Sequence, residues 1–267
     1  MWSVDRFLKI NETINCSFWV SDMKKYEIVK SEAITVGTNE LFRIRALIDI
    51  PNVVKVGQLG GYIESEGNLS HDGNCWIMDD AWVYEDARVS GNAVVMGSSK
   101  VYGRAIISND ATVEGKSTIF GSARIIDSAH IFDSAFIWGE CEISGDSLVT
   151  DHVEIAGRAR VSGDVWIKGC ASICGDAVVD DAHPYLCVGP FDDSEFVSAH
   201  SDSRLGVRLN WDSYSGSVHG FVQYAKDECD DAKIIERHKQ FASFVTAVLG
   251  EGMDSKPKRS PSARQSQ

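Results

Sequence analysis

The sequence predicts a mainly-β protein, a single-stranded, left-handed parallel β-helix of about six coils, and two observations lead to this prediction. First, every sixth residue from Ile77 to Val179 is Ile or Val, at all eighteen positions. Second, the residue two places before each of these is small, mostly Ala or Ser, and the residue two places after is almost always Gly, Asp or Asn. A hexapeptide period sustained for this long is typical of a parallel β-helix.

Each hexad supplies one short strand and one corner. Alternation along the strand turns the β-branched residue and the small residue toward the same inward face. Gly, Asp and Asn tolerate positive φ, so they turn the chain at the corner. Three hexads make one triangular coil, and stacked coils bury columns of Ile and Val that a single coil could not bury. Equal hexads with tight corners favour the left-handed form. The alternative, a sandwich of hairpins, would need hairpin turns and would not hold one spacing.

The repeat also divides the chain into parts. Before it, two strand-like runs flank Gly37-Thr38-Asn39, which predicts a β-hairpin that caps the open first coil. After it, the pattern predicts strands at 196–199 and 206–209 and helices at 218–226 and 232–249. In chain order we therefore expect a poorly defined N-terminal extension (1–22), a β-hairpin cap with a lead-in segment (23–74), the hexapeptide-repeat β-helix (75–180), a small α+β C-terminal unit (181–249) and a disordered tail (250–267).

Three glycines ahead of the solenoid, Gly57, Gly60 and Gly61, superficially resemble a phosphate-binding loop. No Lys-Ser or Lys-Thr pair and no helical pattern follows them. We therefore interpret them as turn and cap residues. Ile63 and Leu69 fall out of phase with Ile77, so this segment is expected to be an irregular lead-in to the first coil.

Composition excludes several classes of function. The chain has 267 residues and a net charge of −13, which argues against general binding to nucleic acid or to an anionic membrane. It has no apolar run long enough to span a membrane, and its N-terminus lacks a signal-peptide pattern. Its seven cysteines form no CxxC pair, and no His, Cys and Asp cluster has zinc spacing, so no metal is expected. A cytoplasmic location fits reduced cysteines.

The outward positions of the coils predict one surface of interest. Residues one before and one after each inward aliphatic point outward, and every third hexad lies on the same face. One face is polar. Another carries a series of aromatic side chains that predicts a subunit or partner interface, unless a terminal segment folds back over it. These predicted interface residues are Trp82, Tyr84, Tyr102, Phe120, Phe136 and Trp138.

Two features together resemble a known family. They are the segment Gly57-Gln58-Leu59-Gly60-Gly61-Tyr62-Ile63-Glu64 before the repeat, and the run of hexads closed by Cys187-Val188-Gly189-Pro190. Over roughly residues 23–249 the chain resembles the hexapeptide-repeat proteins of enterobacteria and their phages (YdcK-like), some of them labelled acetyltransferases. The resemblance implies a phage- or prophage-associated protein, and a host protein as a partner. Proteins of this fold are commonly homotrimers, so self-association as a trimer is favoured over a dimer.

Two classes of function follow. An enzyme of this fold would be a CoA-dependent acyltransferase, with acetyl-CoA as cofactor and a His general base that deprotonates a hydroxyl or amine. The candidate bases are His130, outward on a partly apolar face, and His152, at a corner one coil later. No loop that could form an acceptor pocket is inserted between the hexads. We therefore favour a non-catalytic binding or scaffold protein without a cofactor, self-assembling through its aromatic face. Mimicry of DNA is disfavoured because the carboxylates do not gather on one face.

Overall fold

The computed structural model describes residues 24–189, 196–211, 213–228 and 231–250. The predicted extension at 1–22 and the predicted tail beyond residue 250 lie outside the described residues. The described part of the chain begins with an antiparallel hairpin of β1 (Tyr26–Val36) and β2 (Asn39–Ala46), as predicted. Strand β2 then pairs antiparallel with β3 (Leu59–Ile63), and β3 joins the solenoid in parallel. The hairpin thus covers the first edge of the solenoid.

Eighteen short strands follow, one for each hexad. Their bounds are β4 Trp76–Ile77, β5 Trp82–Val83, β6 Arg88–Val89, β7 Val94–Val95, β8 Lys100–Val101, β9 Ile106–Ile107, β10 Thr112–Val113, β11 Thr118–Ile119, β12 Arg124–Ile125, β13 His130–Ile131, β14 Phe136–Ile137, β15 Glu142–Ile143, β16 Leu148–Val149, β17 Glu154–Ile155, β18 Arg160–Val161, β19 Trp166–Ile167, β20 Ser172–Ile173 and β21 Ala177–Val179. The predicted parallel β-helix is confirmed.

Three parallel sheets form the walls of the solenoid. We name them the aromatic face (β3, β5, β8, β11, β14, β17, β20), the mixed face (β4, β7, β10, β13, β16, β19) and the polar face (β6, β9, β12, β15, β18, β21). From β4 to β18 each strand pairs with the strand eighteen residues further on, as Ile119 does with Ile137. All eighteen inward Ile and Val side chains are therefore stacked, and each is at most 1% exposed. This dry core fixes the outward residues in vertical columns.

The solenoid has about seven coils, one more than the repeat alone predicts. Ile63 pairs with Val83, and Leu69 forms a parallel bridge to Val89. Each of these pairs is twenty residues apart instead of eighteen, because two extra residues lie between Leu69 and Ile77. The lead-in segment is thus a complete first coil with a small insertion. The first coil was not predicted from the sequence because this insertion breaks the six-residue period.

The C-terminal unit is an antiparallel sheet with two helices. Strands β22 (Tyr185–Val188), β23 (Val197–Asp202), β24 (Gly206–Trp211) and β25 (Tyr214–Ser217) precede α1 (Val218–Glu228) and α2 (Ala232–Leu249). Strand β23 pairs antiparallel with β21, so this sheet continues the polar face. The two predicted strands and both helices are present, whereas β22 and β25 were not predicted. A second core around Phe221 joins the helices to this sheet.

Four residues at outward positions of the coils are buried, namely Trp76, Tyr84, Thr150 and Ala156, and Tyr84, a predicted interface residue, is only 9% exposed. Trp76 occupies an outward position on the mixed face, yet it is 1% exposed. The ring of Tyr26 packs edge-on against it, with centroids 6.2 Å apart, because the lead-in hairpin covers this end of the face.

No helix among the described residues is long and apolar enough to cross a membrane.

Candidate functional site

A column of stacked rings runs along the aromatic face. Tyr84, Tyr102, Phe120 and Trp138 each follow an inward aliphatic residue by one place and are eighteen residues apart, so their side chains lie above one another. The ring centroids of Tyr84 and Tyr102 are 5.0 Å apart, and those of Tyr102 and Phe120 are also 5.0 Å apart with planes only 4° from parallel. Phe120 and Trp138 are 6.3 Å apart at 9°. The structure therefore brings these predicted residues together.

Phe136 and Trp82 flank this column. The Phe136 ring is 5.4 Å from Phe120 and 5.0 Å from Trp138, tilted against both, and the residue is 38% exposed. The Lys100 ammonium lies over the Trp82 ring, 4.7 Å from its centroid. From β5 to β14 this ammonium is the one formal charge at the outward strand positions of the aromatic face. The face is therefore apolar along most of its height.

The two tyrosines of the column are held neutral. Burial, with smaller contributions from the neighbouring Tyr102 and Glu85, raises the pKa of Tyr84 to about 12. Burial likewise raises the pKa of Tyr102 above its usual value, with a contribution from Glu85. The phenols therefore behave as apolar rings with one polar edge near neutral pH.

The two candidate bases are separate. His130 lies on the mixed face, where its Nε2 is 3.2 Å from Oε1 of Glu114 and its ring is 4.9 Å from that of Phe132. Nε2 is buried and forms no hydrogen bond with the described residues. His152 is exposed at a corner, near the carboxylate of Asp133. No hydrogen bond or ion pair among the described residues joins the two histidines.

The corner carboxylates have structural partners. The side chains of Asp79, Glu85, Asp127 and Asp151 each accept the backbone N–H of the residue eighteen places later, at distances of 2.7–3.2 Å. These residues have positive φ, between 53° and 59°. Within the described part of the chain no group of three or more His, Cys, Asp or Glu side chains could hold a metal ion. The carboxylates therefore link successive corners, as the corner interpretation requires.

The glycines ahead of the solenoid allow close packing. A Cβ atom on Gly60 would lie 2.5 Å from the carbonyl oxygen of Ile77, and one on Gly61 would lie 2.4 Å from Cγ2 of the same residue. Gly57 adopts a φ of +84° in a turn with open space around it. The turn interpretation thus holds for Gly57, whereas Gly60 and Gly61 lie within strand β3, where the close approach of Ile77 leaves no room for a side chain.

A polar cluster closes the far end of the solenoid. Ser198, His200 and Asp202 alternate along β23, and they accept the backbone N–H groups of residues 172, 174 and 176 at 2.8, 3.2 and 3.3 Å. On the mixed face the Tyr185 hydroxyl accepts the N–H of Lys168 at 3.0 Å and donates to the Trp166 carbonyl at 3.2 Å. These side chains replace the carbonyls that a further coil would provide. Sequence reasoning did not identify them, because their partners are distant in the chain.

Trp166 was also missed as a surface residue. It lies one place before the inward Ile167, so the outward-position rule would have identified it. The residue is 55% exposed, and the Lys168 ammonium lies 4.4 Å from the centroid of its ring.

Comparisons of the chain with family models and with curated proteins find no match.

Proposed function

We propose that the protein is a non-catalytic binding or scaffold protein that self-assembles through its aromatic face, as a homotrimer. The observation that supports this proposal is the column of stacked rings from Tyr84 to Trp138, with Phe136 projecting beside it. The resemblance to phage and enterobacterial proteins adds two parts: a phage- or prophage-associated role in the cytoplasm, and a host protein as a further partner.

Aromatic rings held in this way suit a contact surface. Each ring is already ordered by its neighbours, so little side-chain entropy is lost when a partner covers the column. Tyr84 is only 9% exposed, and Tyr102, Phe120 and Trp138 are half-buried, so each ring offers only part of its surface toward the about 800 Å² that a stable interface needs on each side. The column and Phe136 together could provide the apolar centre of such an interface. The charged corners at either side would form its rim.

A second copy of the chain is the partner we favour. The aromatic face is continuous over several coils and carries Lys100 as its one formal charge from β5 to β14, so the same face of another copy could align with it if one ammonium per chain is accommodated. Two acidic chains would otherwise repel each other, and contact at a nearly neutral face limits this repulsion. Three copies could associate around an axis parallel to the solenoid.

The assembly is tested by Tyr102→Glu combined with Trp138→Glu. These side chains point outward, so the double variant should stay folded while two carboxylates in the interface oppose assembly. Its mass is measured by light scattering after size-exclusion chromatography, and its fold by circular dichroism. We expect the wild-type chain to have the mass of a trimer and the variant to have the mass of a monomer.

The matched control is Ser108→Glu combined with Ser144→Glu. These serines occupy the same outward position on the polar face, and they are two coils apart like Tyr102 and Trp138. The control adds the same charge and should keep the wild-type mass. A wild-type monomer, or an aromatic-face variant that keeps the wild-type mass, would show that this face is not the interface.

Acyl transfer from acetyl-CoA is the second candidate, and the pairing of His130 with Glu114 favours it. His130 Nε2 forms no hydrogen bond, but the Glu114 carboxylate 3.2 Å away places a negative charge beside this candidate general base. Calorimetric titration with acetyl-CoA tests this function. Binding that is weakened in His130→Gln but not in His152→Gln would support it. A Kd of about 1 mM corresponds to a binding free energy of only about −4 kcal/mol. If no heat of binding is measured at about 1 mM acetyl-CoA, the acyltransferase function is contradicted.

A further inference from the structure

Three arginines meet at the C-terminal end of the polar face. Arg158 precedes β18 and Arg160 lies on it, while Arg204 comes from the turn between β23 and β24. They line a pocket of about 410 Å³, whose other walls come from Asp176, Ala177, Val178 and Ser203. This concentration of positive charge contrasts with the net charge of −13 of the whole chain.

One carboxylate lies within this cluster. Asp176 Oδ1 accepts from Nε of Arg158 at 2.8 Å and lies 2.6 Å from its Nη2, while Oδ2 contacts Nε of Arg204. Both oxygens of Asp176 are thus occupied. Three guanidinium groups against one carboxylate leave a surplus of two positive charges in the pocket.

Two neighbouring carboxylates are bound by other arginines. Asp202 binds Arg208 at 2.8 Å, and Glu142, which is paired in register with Arg160, binds Arg124 at 3.1 Å. Arg160 is exposed, and among the described residues its guanidinium has no ion pair or hydrogen bond. It is therefore available to a ligand, and Asp176 holds the other two guanidinium groups in place.

We propose that this pocket binds the phosphate monoester group of a small ligand. A phosphate monoester carries a charge of about −1.5 to −2 near neutral pH, which matches the surplus of two. Guanidinium groups donate paired hydrogen bonds that match phosphate oxygens, and such charge-assisted bonds are about twice as strong as neutral ones. The remaining volume of the pocket has room for part of the organic group. This site lies on the polar face and is independent of assembly through the aromatic face.

The test uses glycerol phosphate, a simple phosphate monoester, titrated into the full chain and followed by calorimetry. Conditions of about pH 8 and about 50 mM salt keep the ligand dianionic and the screening weak. We expect one site per chain. The variant Arg160→Gln should bind about tenfold more weakly, as is typical for loss of one charge-assisted contact. It breaks no ion pair, so its thermal unfolding should match that of the wild type.

Arg88→Gln is the matched control. Arg88 occupies the same outward position on the polar face, four coils before Arg160 and outside the pocket. The Arg88→Gln variant should bind glycerol phosphate with the affinity of the wild type. At about pH 5 the ligand becomes a monoanion, and binding should weaken several-fold. Absence of binding at about 10 mM ligand, equal weakening in both variants, or unchanged affinity at pH 5 would overturn the proposal.

Discussion

The Nε2 atom of His200 accepts the backbone N–H of Cys174 at 3.2 Å, in the position where a further coil would offer a carbonyl. It also accepts from the Asn210 side chain at 3.1 Å, while Nδ1 donates to the Ser201 carbonyl at 3.0 Å. These bonds require a neutral imidazole with its hydrogen on Nδ1. Burial, the largest cause, lowers the pKa of His200 to about 4. The end of the solenoid is therefore closed by a side chain that protonation would disrupt.

Stability should consequently fall as the pH is lowered from about 6.5 to about 4. In this window the unfolded chain binds a proton on His200 and the folded chain does not, so acid favours the unfolded state. The difference between the two pKa values corresponds to about 3 kcal/mol. Burial also lowers the pKa of His71, which acts in the same direction. Urea unfolding at a series of pH values measures this dependence.

The variant His200→Asn should be less stable at pH 7 and should lose much of the pH dependence. His219→Asn is the control, because His219 is exposed and should leave the wild-type dependence in place. If His200→Asn kept the full wild-type slope, the closing role of this imidazole would be refuted.

Gly61→Ala should destabilise the first coil more than Gly57→Ala. The new Cβ at Gly61 would lie 2.4 Å from Cγ2 of Ile77 and 2.5 Å from the Ala81 carbonyl oxygen, which forces the packed strands apart. We expect this overpacking to lower the free energy of unfolding by about 3 kcal/mol. Gly57 has open space around it, so alanine there should cost only about 1 kcal/mol, because of its positive φ. The free energies of unfolding in urea give both values, and equal losses would contradict the close-packing role.

Lys25→Ala should be far more damaging than Lys24→Ala. Lys25 is 1% exposed, and its ammonium donates to the carbonyls of Cys75 at 2.9 Å and Gly73 at 3.3 Å. Removing these bonds leaves the buried Cys75 carbonyl unsatisfied, at a cost of about 3 kcal/mol. Lys24 forms an exposed ion pair with Glu66, which is worth less than about 1 kcal/mol.

Thermal and urea unfolding of the two lysine variants measure the difference. Lys25→Met, which keeps the apolar stem and loses the donors, should fall between alanine and wild type. If Lys24→Ala and Lys25→Ala lowered the free energy of unfolding by similar amounts, the hydrogen bonds of the buried Lys25 ammonium would not contribute to stability.

The thiols should differ in reactivity. Cys170 is exposed, whereas Cys141 is buried as a small inward residue, and burial raises its pKa to about 12. Since the thiolate is the reactive form, a short pulse of maleimide at pH 7.5 should label Cys170 and leave Cys141 unmodified until the solenoid unfolds. Mass spectrometry of the peptides locates the label. Equal labelling of the two residues in the native chain would contradict the packing of this core.

The solenoid was predictable because its rules are local. An inward aliphatic such as Ile119 and a corner glycine such as Gly121 determine each strand and turn within six residues, and the stacking then follows from repetition. The first coil was not predicted, because two extra residues shift Ile63 and Leu69 out of phase with the hexads that follow. Trp76 was misplaced for a different reason, since its burial depends on a hairpin that is remote in the sequence.

The closing cluster and the arginine pocket depend on contacts between distant segments. Polar residues alternate at 198, 200 and 202, which marks one side of a strand as polar. That pattern does not reveal that their partners are backbone groups of the last coil. Similarly, Arg204 is about forty-five residues from Arg158 along the chain, and only the docking of β23 on β21 brings them to the same carboxylate.

The eighteen-residue register also determines how the molecule can change in length. One coil contains one residue for every column, so a duplication or deletion of eighteen residues inside the repeat would restore every vertical partner. The hairpin at one end and the closing cluster at the other would keep their contacts. Such a change would alter the height of the solenoid by about 4.8 Å and extend or shorten the aromatic column by one position. The protein is therefore modular in length, and its two ends can stay constant while its surface grows in fixed steps.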